Sequence, residues 1–245
     1  MPLHPKRNIL SGPTPLERAE ELSKHLKIDL HIKRDDLAGP SFGGNKARQL
    51  EYYFGEALSQ DADTILITGA VQSNFTRTAV VVARSLGMGA VVQFEDRVKD
   101  GSARYRNSGN VLLSRLMGAK IDFYPEGEDE AGADVALDRQ AALLRSSGRR
   151  PYIIHLSEAY PPLGALGYVD AAMELLEHND DFDVFVVASG SGATHAGLLA
   201  GLRGSGSKAG VIGNCVRRDA AFQGPRIERV LERLGHLYTP TVSYT

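Results

Sequence analysis

The chain reads VFVVASGSGATHAGLLAGL at residues 184–202, and this stretch indicates its fold class. The apolar run 184–188 has the length of a β-strand, and the small residues after it lead into a helical pattern at 194–202. A strand that is apolar nearly throughout is typical of a sheet covered by helices on both faces. A strand that turns through glycines into a helix belongs to a βαβ unit, so the stretch predicts an α/β protein with parallel strands.

The same alternation runs through the rest of the chain. Strands are predicted at 30–33, 64–68, 90–94, 120–124, 152–155, 184–188 and 211–216. Helices are predicted at 47–60, 74–86, 109–117, 133–146, 163–177, 194–202 and 226–234. The acidic stretch 126–132 contains two glycines and is expected to form a solvated loop that ends before the fourth helix.

Composition excludes several classes of protein. The 245 residues carry 28 Lys and Arg against 30 Asp and Glu, a balance that predicts no nucleic-acid partner and no membrane partner. Cys215 is the only cysteine, so neither an intrachain disulfide nor a cysteine-based zinc site is expected, and the seven histidines show no i, i+4 pairing typical of a metal site. The N-terminus has no apolar signal segment and no apolar run could span a bilayer, which predicts a cytoplasmic protein.

Three loops that open predicted helices are candidate binding sites, because ligands of open α/β sheets bind where strands end and helices begin. The first loop reads SFGGNKAR at residues 41–48 and places Lys46 at the start of a helix. The positive end of a helix lowers the pKa of a nearby lysine and favours a neutral amine, which can form a Schiff base with an aldehyde cofactor. The alternative is an ordinary solvated lysine.

The second loop reads GAVQSN at residues 69–74 and follows the strand predicted at 64–68. The side chains of Gln72, Ser73 and Asn74 have two possible uses. They either cap the following helix, or they bind a substrate carboxylate or a cofactor oxygen. The third loop reads SGSGATHAG at residues 189–197. Its small residues and hydroxyls either form a nest for a phosphate monoester or make a plain strand-to-helix turn. It has neither the P-loop ending nor the dinucleotide fingerprint. Taken together, the three loops predict pyridoxal 5′-phosphate as cofactor and an amino acid as substrate.

The sequence resembles the D-cysteine desulfhydrase and 1-aminocyclopropane-1-carboxylate deaminase family over residues 13–218. The motifs that carry this resemblance are Thr14-Pro15-Leu16, Lys33-Arg34-Asp35-Asp36, the segment 41–48, Gln72-Ser73-Asn74 and Leu163-Gly164-Ala165-Leu166-Gly167-Tyr168. The resemblance implies a fold-type II, tryptophan-synthase-β-like enzyme that uses pyridoxal phosphate. That fold is α/β, with two three-layer αβα domains built on mainly parallel twisted sheets.

The resemblance also implies a role for each site residue. Lys46 would be the Schiff-base lysine and a catalytic residue. Ser73 would be catalytic or contact the substrate, Asn74 would bind the cofactor ring hydroxyl and the substrate, and Gln72 would bind the substrate. The cofactor phosphate would be held by Ser189, Gly190, Ser191, Gly192, Ala193 and Thr194.

Two domains are expected from the resemblance, with the cofactor between them. Residues 1–53 and 153–245 would form the larger, cofactor-binding domain, and residues 54–152 a smaller inserted domain. In the family more chain follows the strand predicted at 211–216, so the larger domain is expected to be shortened at its C-terminus. The resemblance further implies a homodimer.

The motifs leave three functions open. Asp35-Asp36 and the segment 194–197 look like the desulfhydrase branch, which implies α,β-elimination from a small amino acid to pyruvate, ammonia and hydrogen sulfide. Thr76-Arg77 looks like the deaminase branch, which implies ring opening of 1-aminocyclopropane-1-carboxylate. The third possibility is a catalytically impaired, truncated homologue that binds only cofactor or a partner, since the sequence offers no equivalent of the group that faces the pyridine nitrogen.

Overall fold

The computed structural model describes residues 4–98, 101–127, 129–157, 159–178, 181–216 and 218–238. The strands are β1 (Leu16–Arg18), β2 (His31–Lys33), β3 (Thr64–Ala70), β4 (Gly89–Glu95), β5 (Lys120–Tyr124), β6 (Pro151–Ile154), β7 (Val184–Ser189) and β8 (Gly210–Cys215). The helices are α1 (Glu20–Leu26), α2 (Lys46–Ser59), α3 (Asn74–Ser85), α4 (Gly109–Leu116), α5 (Glu130–Ser146), α6 (Leu163–His178), α7 (Ala193–Gly204) and α8 (Ala220–Gly235). Among the described helices, none combines the length and the apolar character needed to cross a membrane.

The chain divides into two compact units. We call Asn8–Tyr52 with residues 161–238 the flanking unit, and Tyr53–Tyr160 with residues 4–7 the inserted unit.

The inserted unit is built on a parallel four-stranded sheet with the order β5-β4-β3-β6. Its central strand β3 is buried from Thr64 to Gly69, as its apolar sequence predicts. Leu66 and Val91 of the sheet pack against Leu137 and Ala141 of α5, which forms a core on that side. Residues 71–74 follow the C-terminal end of β3, so the second candidate loop lies at the edge of the sheet where α/β proteins bind ligands.

The flanking unit contains a parallel pair, β7 with β8, and an antiparallel pair, β1 with β2. Helices α6 and α7 pack closely on each other, with Tyr168, Ala172, Leu198 and Leu202 in their shared core. Glycine makes this approach possible, because a Cβ at Gly197 would lie 2.1 Å from the carbonyl oxygen of Ala165. The glycine loop, defined as residues 189–194, joins β7 to α7.

The α/β class and all seven predicted strands are confirmed, but β7 differs from the prediction in its burial. The sequence predicts helices on both faces of this strand, yet Val186 is 72% exposed and Val184 is 47% exposed. Phe185 and Val187 instead pack against the core of α6 and α7. An apolar run therefore marked a strand correctly, while only the neighbouring layers decide which of its faces is covered.

Two helices begin earlier than the sequence predicts. Helix α5 starts at Glu130, inside the stretch expected to be a solvated loop, because the Asp129 side chain caps the helix by accepting a 2.9 Å hydrogen bond from the Gly132 amide. Helix α8 starts six residues before the predicted Arg226, although Pro225 lies inside it. The Asp219 carboxylate caps its first turn, at 3.1 Å from the Phe222 amide nitrogen. Strand β1 and helix α1 were not predicted.

Candidate active site

Lys46 is the first residue of α2, and the loop before it has an unusual backbone. Four consecutive residues, Ser41 to Gly44, have φ between 64° and 95°, the left-handed region that favours glycine. A Cβ at Gly43 would lie 1.8 Å from the carbonyl oxygen of Asp36, so no other residue fits there without a backbone shift. The loop is therefore folded tightly onto the turn at Asp35–Leu37, which fixes where α2 begins.

The amine of Lys46 is the site's candidate nucleophile. Its side chain is only partly exposed, and burial lowers the pKa of the Lys46 amine to about 8. Burial disfavours the charged form of any lysine, so a sizeable fraction of neutral amine is present near neutral pH. A neutral amine is the form that attacks an aldehyde.

The residues on either side of Lys46 are bonded to the glycine loop. Asn45 donates from Nδ2 to the Oγ1 of Thr194 at 2.8 Å, and Gln49 donates from Nε2 to the same oxygen at 2.7 Å. Asn45 and Gln49 are four residues apart and hence on one side of the helix start. The first turn of α2, which carries Lys46, is thereby joined to the first turn of α7.

The glycine loop itself is held by polar side chains. Gly192 is the residue before α7 and has φ of 104°, which requires glycine. The Ser189 hydroxyl accepts a 2.9 Å hydrogen bond from Gln223 and lies 3.2 Å from Nδ1 of His195. Burial lowers the pKa of His195, which favours the neutral imidazole. A neutral imidazole nitrogen can accept a hydrogen bond from the Ser189 hydroxyl.

The N-terminal half of α8 contacts the same loop. Gln223 also donates from Nε2 to the carbonyl oxygen of Gly190 at 3.1 Å, and Arg226 donates from Nε to the carbonyl oxygen of Ser191 at 2.9 Å. Both side chains are buried, with 3% and 6% of their surface exposed. The loop is thus bonded to α2 through the Thr194 hydroxyl, and to α8 through the Ser189 hydroxyl and two carbonyl oxygens.

A largely buried network of ion pairs holds α2 in place through Arg48. Arg48 bonds to Asp35 at 2.9 Å, to Glu174 at 2.7 Å and to the Thr14 hydroxyl at 2.9 Å. Glu174 also pairs with Lys33. Burial would by itself raise the pKa of Glu174, but the hydrogen bonds from Arg48 and Lys33 outweigh it and lower the pKa to about 2. The residues of the motifs at 14–16 and 33–36 therefore position the helix that carries Lys46.

In the inserted unit, Gln72 holds the second loop in shape. It has φ of 71°, and its Nε2 donates to the carbonyl oxygens of Tyr105 at 2.6 Å and Ser108 at 2.9 Å. Its Oε1 accepts from the Asn110 amide at 2.8 Å. The side-chain amide is engaged in three hydrogen bonds that bring the segment 105–110 against the end of β3.

Ser73 and Asn74 stand at the start of α3. Ser73 caps the helix, since its Oγ accepts from the amides of Phe75 at 3.2 Å and Thr76 at 3.3 Å. Asn74 accepts at Oδ1 from Arg77 at 2.8 Å and from the Nδ2 of Asn110 at 2.9 Å. Both of the uses that the sequence allows for these residues, capping and ligand binding, are compatible with this geometry, and their ligand-binding roles stay a prediction.

Sequence reasoning missed several residues of this arrangement. Asn45 and Gln49 were detectable in principle, because polar side chains four residues apart flank the lysine at a helix start. Asn110, Gln223 and Arg226 gave no such signal, since each acts on a loop more than thirty residues away in the chain.

A family model described as "Pyridoxal-phosphate dependent enzyme" matches residues 8–237, nearly the whole chain. The chain belongs to this family. Its cofactor is pyridoxal phosphate, as the three loops predicted, and this pyridoxal-phosphate enzyme carries a lysine at a helix start and a donor-rich loop in the same unit. Among the described residues, no group of three or more His, Cys, Asp or Glu side chains is placed to hold a metal ion.

Known relatives of this pyridoxal-phosphate enzyme include a D-cysteine desulfhydrase of Klebsiella pneumoniae subsp. pneumoniae. The two are 38% identical over 226 residues, which cover 91% of this chain and 68% of that protein. Among solved structures, an ACC deaminase homologue superposes with a TM-score of 0.84 at 31% identity, over 99% of this chain and 72% of that one. A fungal L-serine ammonia-lyase from Rhizomucor miehei superposes with a TM-score of 0.66 at 21% identity, a likeness of fold alone. The fold-type II class and the family resemblance are both confirmed.

The residues of the flanking unit fit this cofactor chemically. An aldehyde needs an amine with a depressed pKa, which Lys46 provides. A phosphate needs backbone donors at a helix N-terminus, and the glycine loop ends at the first turn of α7. In the part of the chain that the structure describes, the amides of Ser191 and Gly192 donate to no other protein atom, so they are available to an anion.

Proposed function

We propose that this protein is a D-cysteine desulfhydrase, a lyase that converts D-cysteine and water to pyruvate, ammonia and hydrogen sulfide. The observation that carries the proposal is the bonding of Asn45 and Gln49 to Thr194, because it joins the lysine turn to the glycine loop. The likeness to the Klebsiella enzyme supports the choice of substrate.

In this proposal the flanking unit holds the cofactor. Lys46 would attach its aldehyde, and the six residues of the glycine loop, Ser189, Gly190, Ser191, Gly192, Ala193 and Thr194, would hold its phosphate. When bound, pyridoxal phosphate would supply an electron-accepting ring, which takes up the electron pair of the substrate Cα–H bond when that proton is removed. Lys46 would then act as general base, taking the Cα proton at Nζ.

The inserted unit is proposed to supply the substrate contacts. Ser73 would hold the substrate carboxylate or relay a proton through its hydroxyl, and Asn74 would contact the cofactor ring hydroxyl and the substrate. Gln72 belongs to the same proposed substrate-binding turn, which its three hydrogen bonds hold in place. The helix N-terminus at Asn74 adds a favourable field for a carboxylate.

A second candidate is ring opening, in which 1-aminocyclopropane-1-carboxylate and water give 2-oxobutanoate and ammonia. The observation that favours it is the superposition on the ACC deaminase homologue over 99% of this chain. A third candidate is a homologue that binds the cofactor without turnover.

One set of assays separates the three candidates. The purified protein is supplied with pyridoxal phosphate, its absorbance spectrum is recorded, and D-cysteine and the cyclopropane substrate are then added separately. Sulfide and pyruvate from D-cysteine support the proposal, 2-oxobutanoate supports the deaminase, and a cofactor spectrum without product supports binding alone. Lys46→Ala should abolish the spectral change and Lys24→Ala, at an exposed lysine, should not. A wild-type protein that shows no spectral change at all would contradict all three.

We also propose that residues 1–53 and 153–245 form one domain, residues 54–152 the other, and that the chain works as a homodimer. The division into flanking and inserted units supports the first part. The exposed valines of β7 support the second, since apolar surface of this kind is often covered in an assembly. Limited proteolysis and light scattering test the two parts separately.

A further inference from the structure

We infer that Gln223 and Arg226 of α8 are positioning residues that aim the amides of the glycine loop at the cofactor phosphate. The inference rests on the proposed function, because it takes residues 189–194 to be the phosphate site. It adds that the loop does not hold its binding shape alone, and that a helix later in the chain sets the direction of its donors.

The first step of the argument is the geometry of the peptide unit. The described chain contains no cis peptide bonds, so each carbonyl points opposite to the N–H of the same peptide unit. Gln223 binds the carbonyl oxygen of Gly190, and Arg226 binds the carbonyl oxygen of Ser191. The N–H groups that share these units belong to Ser191 and Gly192. Both N–H groups therefore point away from α8.

The second step is the strength of the contacts. Arg226 is charged, and a charge-assisted hydrogen bond is stronger than a neutral one. A bond to a carbonyl polarises its peptide unit, which makes the opposite N–H a better donor. Gln223 additionally binds the Ser189 hydroxyl at 2.9 Å, so the same side chain fixes two consecutive residues of the loop.

The third step is the cost of maintaining this arrangement. Gln223 and Arg226 are buried polar side chains. The Oε1 atom of Gln223 is buried and makes no hydrogen bond in the described structure. Packing alone would be served better by apolar residues at these positions, as at Ile227 and Val230, which contact Ala196 of α7. The polar pair is explained by what it does to the loop carbonyls.

The test compares the affinity of the cofactor-free protein for pyridoxal phosphate and for pyridoxal, which lacks the phosphate. The variants are Gln223→Met and Arg226→Met, which keep much of the side-chain volume and remove the donors. Arg229→Met makes the same change as Arg226→Met at an exposed position of the same helix and serves as the matched control. Absorbance titrations give both dissociation constants, and circular dichroism checks folding.

We expect the two variants to bind pyridoxal phosphate about tenfold to a hundredfold more weakly, because the hydrogen bonds from the loop amides to a charged ligand are weakened. Pyridoxal binding should stay within about twofold, because a positioning role concerns the phosphate alone. Arg226→Lys, which keeps the charge, should recover part of the preference. If Gln223→Met or Arg226→Met does not fold, Arg226→Lys against Arg229→Lys gives the same comparison.

Equal losses for both ligands, or no loss for either, would overturn the inference and leave the proposed function standing. A wild-type protein that binds both ligands equally would show instead that residues 189–194 are no phosphate site, which overturns the proposed phosphate site together with the inference.

Discussion

The Nε2 atom of Gln49 lies 2.7 Å from the Oγ1 atom of Thr194, a residue 145 positions later in the chain. Asn45 donates to the same oxygen. One hydroxyl thus accepts from both residues that flank the candidate nucleophile in the first turn of its helix. The relationship links the placement of Lys46 to the placement of the glycine loop.

Thr194→Val should lower the free energy of unfolding by about 1 to 3 kcal/mol, because it removes the acceptor and leaves the buried amide of Gln49 without one. Cofactor affinity should fall as well. Thr194→Ser keeps the oxygen and should cost only about 0.8 kcal/mol, the value of one buried methyl group. Urea denaturation of the cofactor-free protein measures both. Equal destabilisation by the two variants would show that the hydroxyl is unimportant.

Lys46→Met should stabilise the cofactor-free protein at pH 7 by about 1 to 3 kcal/mol while abolishing cofactor attachment. Burial lowers the pKa of Lys46 to about 8 from 10.5, so the folded protein binds fewer protons than the unfolded chain between these values. The cost of burying the charge is therefore complete below pH 8 and lost above about 10.5. Urea denaturation of both proteins between pH 7 and pH 11 should show that the stability gain of Lys46→Met disappears as the pH rises through about 8 to 10.5. Lys24→Met, at an exposed lysine, is the control and should change the free energy of unfolding by less than about 0.5 kcal/mol. If the stability gain of Lys46→Met is the same at every pH, the explanation is wrong.

Glu174→Gln should destabilise the protein by about 3 kcal/mol at pH 7, because Arg48 and Lys33 lose a buried counterion. The pKa of Glu174 is lowered to about 2 from 4.5, so its contribution is complete above pH 4.5 and is lost as the pH falls toward 2. The wild type should lose stability over that interval more steeply than the variant. Glu21→Gln, in an exposed pair with Lys24, is the control and should follow the wild-type curve.

Val186→Ala should change the free energy of unfolding by less than about 0.5 kcal/mol, since Val186 is 72% exposed on the uncovered face of β7. Val169→Ala makes the same change in the same unit at a position 5% exposed and should cost about 2 kcal/mol. Thermal denaturation at several protein concentrations measures both. A large cost at Val186 that grows with protein concentration would show that a second chain covers this face, in line with the proposed homodimer.

The site was predictable from sequence to the extent that its residues are neighbours in the chain. Lys46, the turn at Gln72 and the glycine loop each combine small residues with a helix start, so local patterns suffice to find them. Gln72 shows where this reasoning ends, since its hydrogen bonds to the segment 105–110 depend on a register between distant loops. Arg48 likewise reads as one more helix residue until the fold brings Asp35 and Glu174 to it.

Local patterns in the sequence were enough to predict the α/β class, most strands and helices and the candidate lysine, because hydrophobic period and turn residues are local properties of the chain. The family followed from the resemblance of several short motifs. The covered face of β7 and the side chains that hold the glycine loop could be established only from the tertiary structure. These features depend on contacts such as that of Gln223 with Gly190, whose energy arises only when two distant segments meet and water is excluded from between them.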